Sequence, residues 1–161
     1  MESTPGQSVT STSTIGYDLG EALQTIATKY NYKIDKLNDT QWRMDVALKL
    51  KDGSFRYQFV YIWISKGFAK GKDVIYMNSR CGMYTPQLNL YNMMKEASWG
   101  VYSMVTITTD KTKDGVPCET VIVQASPIAE YTSPELLNEI IFEVASNADI
   151  IEEKFFGGDH N

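Results

Sequence analysis

The side chains in this sequence with the widest catalytic repertoire are two cysteines and one histidine. Cys81 and Cys118 lie far apart and form no C-x-x-C pair, which excludes a zinc ribbon and a thioredoxin-like redox motif. His160 is the penultimate residue, in a Gly-Gly-Asp tail, so the sequence offers neither a Ser-His-Asp triad nor a histidine-rich metal site. Arg80 beside Cys81 would favour a thiolate, but no histidine is placed to act as its base. We therefore interpret Cys81 as a small buried side chain.

The glycine- and lysine-rich segment 67–73 has some features of a phosphate-binding loop. Only three residues separate Gly67 from Gly71, and Lys72 is followed by Asp73 rather than by the Ser or Thr that would hold magnesium. The segment also leads into a predicted strand instead of opening a helix. We predict a solvated basic turn here, with no cofactor.

Length, composition and charge indicate one acidic domain. The chain has 161 residues, 43% of them apolar and 22% charged, with 15 basic against 20 acidic side chains and a net charge of −5. This balance argues against a nucleic-acid partner, and no apolar run reaches the roughly 18 residues that a membrane span needs. Without a secretory signal, the expected location is the cytoplasm. We predict a disordered Ser/Thr-rich leader at residues 1–16, a domain at 17–156 and a flexible tail at 157–161.

Hydrophobic periodicity and capping residues define the predicted elements. They predict helices at residues 18–30, 86–97 and 133–154, and strands at 42–50, 55–64, 74–79, 102–109 and 119–125. The order is α-β-β-β-α-β-β-α, which predicts a single α+β domain with helices packed on an antiparallel sheet.

The Asp52-Gly53 pair predicts a hairpin with a two-residue turn, which pairs Leu50 with Phe55. This register places the alternate aromatic residues of the second strand in the core, namely Phe55, Tyr57, Phe59, Tyr61 and Trp63. The opposite face then exposes an apolar patch with two basic residues at its rim. The predicted partner-binding residues of this patch are Val60, Ile62, Ile64, Arg43 and Arg56.

The predicted last helix carries acidic residues at i,i+4 spacing. A solvated face explains such a stripe, and a contact with a basic partner surface is the alternative. Glu139 and Glu143 are the predicted partner-binding residues of this secondary surface.

The element order and a few local sequence features resemble the YbjN family of bacterial sensory-transduction regulators, which is similar in fold to class I type III secretion chaperones. The resemblance covers residues 17–155. The segments that carry it are the aromatic strand 59–64, the strand end 79–84, the closing stretch 143–153, and an Ala-Asp-x-x-Glu pattern at Ala148, Asp149 and Glu152. It implies a non-enzymatic domain that binds extended protein segments, commonly as a dimer in the chaperone relatives.

Two functions follow as expectations. The first is a cofactor-free protein-binding module, regulatory in role, whose partner is a client protein or a second copy of the chain. The alternative is a small carboxylate enzyme or ligand-binding domain with its pocket between sheet and helices. The acidic residues considered for that alternative are Asp45, Asp73 and Glu119.

Overall fold

The computed structural model describes residues 15–157, apart from the side chain of residue 99. Residues 1–14 of the predicted leader and 158–161 of the predicted tail lie outside the described residues. Ile15 is described, and it is buried in the hydrophobic core. No helix within residues 15–157 is long and apolar enough to cross a membrane.

The described chain is a single α+β domain, which confirms the predicted fold class. Its helices are α1 (Leu19–Tyr30), α2 (Leu90–Glu96) and α3 (Pro134–Phe156). Its strands are β1 (Lys33–Asn38), β2 (Gln41–Lys49), β3 (Phe55–Ala69), β4 (Lys72–Met83), β5 (Met104–Lys111) and β6 (Pro117–Ala125).

The ends of two helices follow the predicted capping chemistry. Asp18 accepts a hydrogen bond from the backbone N–H of Glu21 and so caps α1. Ser133 caps α3 in the same way, with Pro134 in its first turn. The predicted start of the second helix at Pro86 is wrong, because Asn89 supplies the cap and α2 begins at Leu90.

The sheet has one strand more than predicted. The missed strand, β1, is rich in charged residues and has almost no buried side chain, so it lacks the apolar alternation that marks a strand. The predicted basic turn is tighter than expected. Lys70 and Gly71 both have positive φ values, 52° and 84°, as a two-residue type I′ turn requires, and Ala69 pairs directly with Lys72.

All six strands form one antiparallel sheet in the order β1-β2-β3-β4-β6-β5. A single hydrophobic cluster holds residues from all three helices together with one face of the sheet. We call this side of the sheet the helix face and the opposite side the open face.

The predicted register of the β2–β3 hairpin is wrong by one residue. Lys49 pairs with Phe55 and Met44 with Val60. The turn spans three residues, because Leu50 donates to the carbonyl of Ser54 and Gly53 adopts the left-handed conformation at φ 85°. A shift of one residue turns every side chain of a strand to the other face, so the aromatic residues point away from the core.

Candidate functional site on the open face of the sheet

The odd-numbered aromatic residues of β3 form a row along the centre of the open face. We call them the aromatic row; its members are Phe55, Tyr57, Phe59, Tyr61 and Trp63. None of them belongs to the cluster that the helices share, so within residues 15–157 the helices cover only the opposite face. Phe55 and Tyr57 are 52% and 50% exposed, and the other three rings are partly buried by neighbouring side chains. The open face therefore presents aromatic surface to solvent.

The predicted apolar patch does not exist as an exposed surface. Val60 and Ile62 are fully buried on the helix face, and Ile64 is partly buried against the same core. Arg56, predicted at the rim of the patch, also lies on the helix face. Its guanidinium Nη2 binds the carboxylates of Asp149 at 2.6 Å and Glu153 at 2.9 Å on α3.

Arg56 and its acidic partners fasten the last turns of α3 to the sheet. The hydrogen bond from Arg56 holds the pKa of Glu153 below its ordinary value, and the same bond is the main reason that the pKa of Arg56 is raised. The next residue on this face, Gln58, is almost fully buried and donates to the hydroxyl of Ser79 and the carbonyl of Arg80. Both polar residues thus have structural partners in the fold.

Arg43 does lie on the open face as predicted, and a second arginine, Arg80 on β4, lies on the other side of the aromatic row. The guanidinium carbon of Arg43 is 4.7 Å from the ring centroid of Phe59, and that of Arg80 is 5.8 Å from the centroid of Tyr61. Each arginine also pairs with a carboxylate on a strand nearer the sheet edge, Arg43 with Asp35 and Arg80 with Asp110. Asp45 and Lys49 of β2 also lie on this face, opposite Phe59 and Phe55. Charges of both signs therefore border the row.

Trp63 lies at the opposite end of the row from Phe55 and packs against Tyr76 of β4, with ring centroids 4.5 Å apart. The hydroxyl of Tyr76 donates to the side-chain carbonyl of Gln124 on β6, which orients the tyrosine ring. Asn78 of β4 lies directly opposite Tyr61 of β3. Aromatic rings thus alternate with amides across the middle strands.

The open face is concave. A cavity of about 330 Å³ on this face is lined by residues of all six strands, including Leu37 of one edge strand and Thr108 of the other. In a flat sheet these edges would lie about 24 Å apart, at roughly 4.8 Å for each strand spacing. A second cavity of about 580 Å³ shares Tyr61, Arg80 and Asp110 with the first. The Arg80–Asp110 ion pair therefore separates two adjoining hollows.

The two predicted acidic contact residues on α3 differ in their surroundings. Glu139 is exposed, as the secondary surface requires. Glu143 is only partly exposed, because its Oε1 atom accepts three successive backbone N–H groups at 2.9 Å and the Ser103 hydroxyl at 2.8 Å. These N–H groups belong to Val101, Tyr102 and Ser103. Glu143 thus fixes the segment of chain that enters β5. The sequence analysis, which treated Glu143 as a partner-binding residue, missed this structural role.

Cys81 is buried, as predicted. Burial is the main reason that the pKa of its thiol is raised far above the ordinary value, and Glu152, itself 4% exposed, acts in the same direction. A raised pKa disfavours the thiolate, which is consistent with the interpretation of Cys81 as a small buried side chain. Among the described residues, no three His, Cys, Asp or Glu side chains are grouped to hold a metal ion.

The carboxylates considered for an enzyme lie on three different strands, with Asp45 on β2, Asp73 on β4 and Glu119 on β6. A cavity of about 750 Å³ lies where α1 approaches the β1–β2 hairpin. Two of its acids already have partners, since Asp18 caps α1 and Asp39 pairs with Lys36. The enzyme or ligand-binding alternative stays a prediction.

Sequence reasoning missed the position of Arg80 on the open face, because it considered this residue only as a neighbour of Cys81. Alternation along β4 was the available signal, because Tyr76, Asn78 and Arg80 occupy every second position and share one face. That the face is open could not be inferred without the correct hairpin register.

Comparison of the sequence with protein-family models and with curated proteins finds no match. The resemblance to the YbjN family, and to secretion chaperones through it, therefore stays a prediction. The α+β class of the fold rests on the structure.

Proposed function

We propose that the domain is a non-enzymatic, cofactor-free binding module that captures a partner protein on the open face of its sheet. The observation that carries this proposal is the exposed aromatic row on a sheet face that no helix of residues 15–157 covers. Tyrosine, tryptophan and arginine dominate the energetic centres of protein interfaces, and all three lie here side by side. The proposal retains the predicted function, protein binding, but assigns it to the aromatic side of β3 instead of the aliphatic side.

Curvature and charge support a protein ligand of a particular kind. A concave face with two adjoining hollows suits an extended segment that inserts apolar side chains on either side of the Arg80–Asp110 pair. Arg43 and Arg80 are each paired with a carboxylate, and Asp45 and Lys49 add one charge of each sign beside the row, so no single sign of charge dominates there. The expected partner segment is therefore apolar with few charges, and aromatic contacts supply most of its affinity.

Location in the cytoplasm is part of the proposal. Cys81 and Cys118 are both free thiols, which fits a reducing compartment. The regulatory role and the resemblance to the YbjN family also remain predictions.

A matched pair of double variants tests the proposal. The test variant carries Phe55→Ser and Tyr57→Ser on the open face. The control carries Phe68→Ser and Tyr91→Ser, which removes the same two side-chain types from positions that are 73% and 72% exposed elsewhere on the molecule. A partner isolated with the unaltered chain is then titrated against all three proteins.

We expect the open-face variant to lose at least about tenfold in affinity, equivalent to about 1.4 kcal/mol, while the control binds like the unaltered chain. Equal affinity for all three proteins would overturn the open face as the binding surface. Loss of binding by the control alone would place the interface around the β3–β4 turn and α2 instead.

A further inference from the structure

The sheet has two edges, and they differ in how well they are protected from association with other strands. Strand β1 forms one edge and β5 the other. The outer side of an edge strand carries backbone N–H and C=O groups without sheet partners, which can pair with a strand from another chain. Folded proteins suppress this pairing with charges, irregular registers and short strands.

Strand β1 has all of these protections. It is six residues long, and its central residues Asp35 and Lys36 are charged, as is Lys33. Its pairing with β2 is irregular between Lys36 and Asn38. A second strand approaching this edge meets charge and an uneven ladder.

Strand β5 has none of them over most of its length. Its first six residues, 104–109, are uncharged and mostly β-branched, with the sequence Met-Val-Thr-Ile-Thr-Thr. Its ladder with β6 runs without a bulge from Met104 to Lys111. Met104 and Ile107 are 55% and 37% exposed. This edge is regular, uncharged and open.

The strand is also held firmly at both ends. The Glu143 carboxylate binds the three backbone N–H groups of residues 101–103, just before β5 begins. The Arg80–Asp110 ion pair at 2.7 Å holds the far end. A strand fixed in this way loses little conformational entropy when another strand pairs with it.

We propose that β5 pairs with β5 of a second copy, antiparallel and about a two-fold axis, so that two sheets join into one. A two-fold axis perpendicular to the sheet keeps both open faces on the same side. Because side chains alternate between the faces, even-numbered residues of one β5 can then lie only opposite even-numbered residues of the other, and odd-numbered opposite odd-numbered. The central registers are then those centred on Thr106, Ile107 or Thr108.

The charges of β5 are compatible with each of these registers. Asp110 and Lys111 lie at one end of the strand, so antiparallel self-pairing places each of them opposite an uncharged residue between 101 and 106. Antiparallel self-pairing of β1 about Asp35 or Lys36 would instead place that charged residue opposite the same residue of the second copy, where the like charges repel. Threonine pairs across strands are favourable. The chain itself is thus a well-matched occupant of the β5 edge, and this interface is distinct from the aromatic row.

Paired charge variants test the proposal. The Thr106→Lys, Thr108→Lys double variant opposes lysine to lysine in all three central registers, and Thr106→Glu, Thr108→Glu opposes glutamate to glutamate. We expect light scattering to give the mass of two chains for the unaltered protein at high concentration, and the single-chain mass of 18.2 kDa for each variant. Mixing the two variants is expected to restore the dimer, since unlike charges then face each other.

A second measurement needs no substitution. Hydrogen exchange at residues 104–109 should slow as the concentration of the unaltered chain rises, because self-pairing protects the outward N–H groups. A chain that stays monomeric at every concentration, or a dimer that persists in both charge variants, would overturn the proposal. Thr106 and Thr108 lie on the open face, and Thr108 lines its smaller cavity. The charge variants are therefore read only by their oligomeric state, and partner binding is tested separately with the Phe55 and Tyr57 variants.

Discussion

Replacement of Ile62 by alanine tests which face of β3 is the core. Ile62 is fully buried on the helix face, and the substitution removes three carbon atoms. At about 0.8 kcal/mol for each buried carbon, the transfer free energy lost is about 2.4 kcal/mol. The cavity left behind adds to this, and similar substitutions cost about 2–5 kcal/mol in total. For a domain of this size, each 1 kcal/mol lowers the melting temperature by roughly 2–4 °C.

The matched control is Tyr57→Ala, on the same strand but on the open face. Its ring is 50% exposed, so we expect its loss to lower the free energy of unfolding by about 1 kcal/mol or less. Urea unfolding followed by circular dichroism gives both values, provided that the m-value stays unchanged. A larger loss for Tyr57→Ala than for Ile62→Ala would refute the assignment of the faces.

Three further predictions concern the contacts around α3. Gly82→Ala would place a methyl group 2.3 Å from the ring of Phe156; we expect a loss of about 1–3 kcal/mol in urea unfolding, which becomes smaller when Phe156 is already alanine. Glu143→Gln removes the charged acceptor of three backbone N–H groups, and should cost about 1–3 kcal/mol in the same assay; an unchanged midpoint would contradict the anchoring role. Because its folded-state pKa is lowered by Arg56, Glu153 stabilises the fold above its ordinary pKa of 4.5 and loses that contribution as the pH falls further. The free energy of unfolding should therefore be measured from neutral to acid pH for the unaltered chain and for Glu153→Gln. We expect the difference between the two proteins to become smaller below about pH 4.5, and a difference that grows in acid would contradict the stabilising role of Glu153.

Local signals in the sequence were sufficient for much of the fold. The caps at Asp18 and Ser133 specify their helices through side-chain hydrogen bonds to nearby backbone groups, so no tertiary information is needed to find them. Alternation of apolar residues located β2 and β3 for the same reason. Strand β1 has no such alternation because it lies at an edge, with almost every side chain exposed.

The site could not be predicted because it depended on a single residue in one turn. Asp52-Gly53 fits a two-residue turn and also the last two positions of a three-residue turn, and these alternatives reverse the faces of β3. The polar residues Arg56 and Gln58 alternate along β3 with the aromatic residues, which favours a register with the aromatic side in the core. That register is wrong, because Arg56 and Gln58 share the helix face with the buried aliphatic residues. Their partners, Asp149 on α3 and the Ser79 hydroxyl on β4, lie far away in the sequence. Only tertiary structure shows that these polar groups are satisfied on the helix face.

Hydroxyl-radical footprinting of the chain, alone and in complex with its partner, tests most directly whether the open face is the binding surface. In the free chain, Phe55, Tyr57 and the control residue Tyr91 should all react readily, since each is at least half exposed. In the complex, the account predicts strong protection of Phe55 and Tyr57 and none of Tyr91. Unchanged reactivity of Phe55 and Tyr57, with protection elsewhere on the molecule, would contradict it.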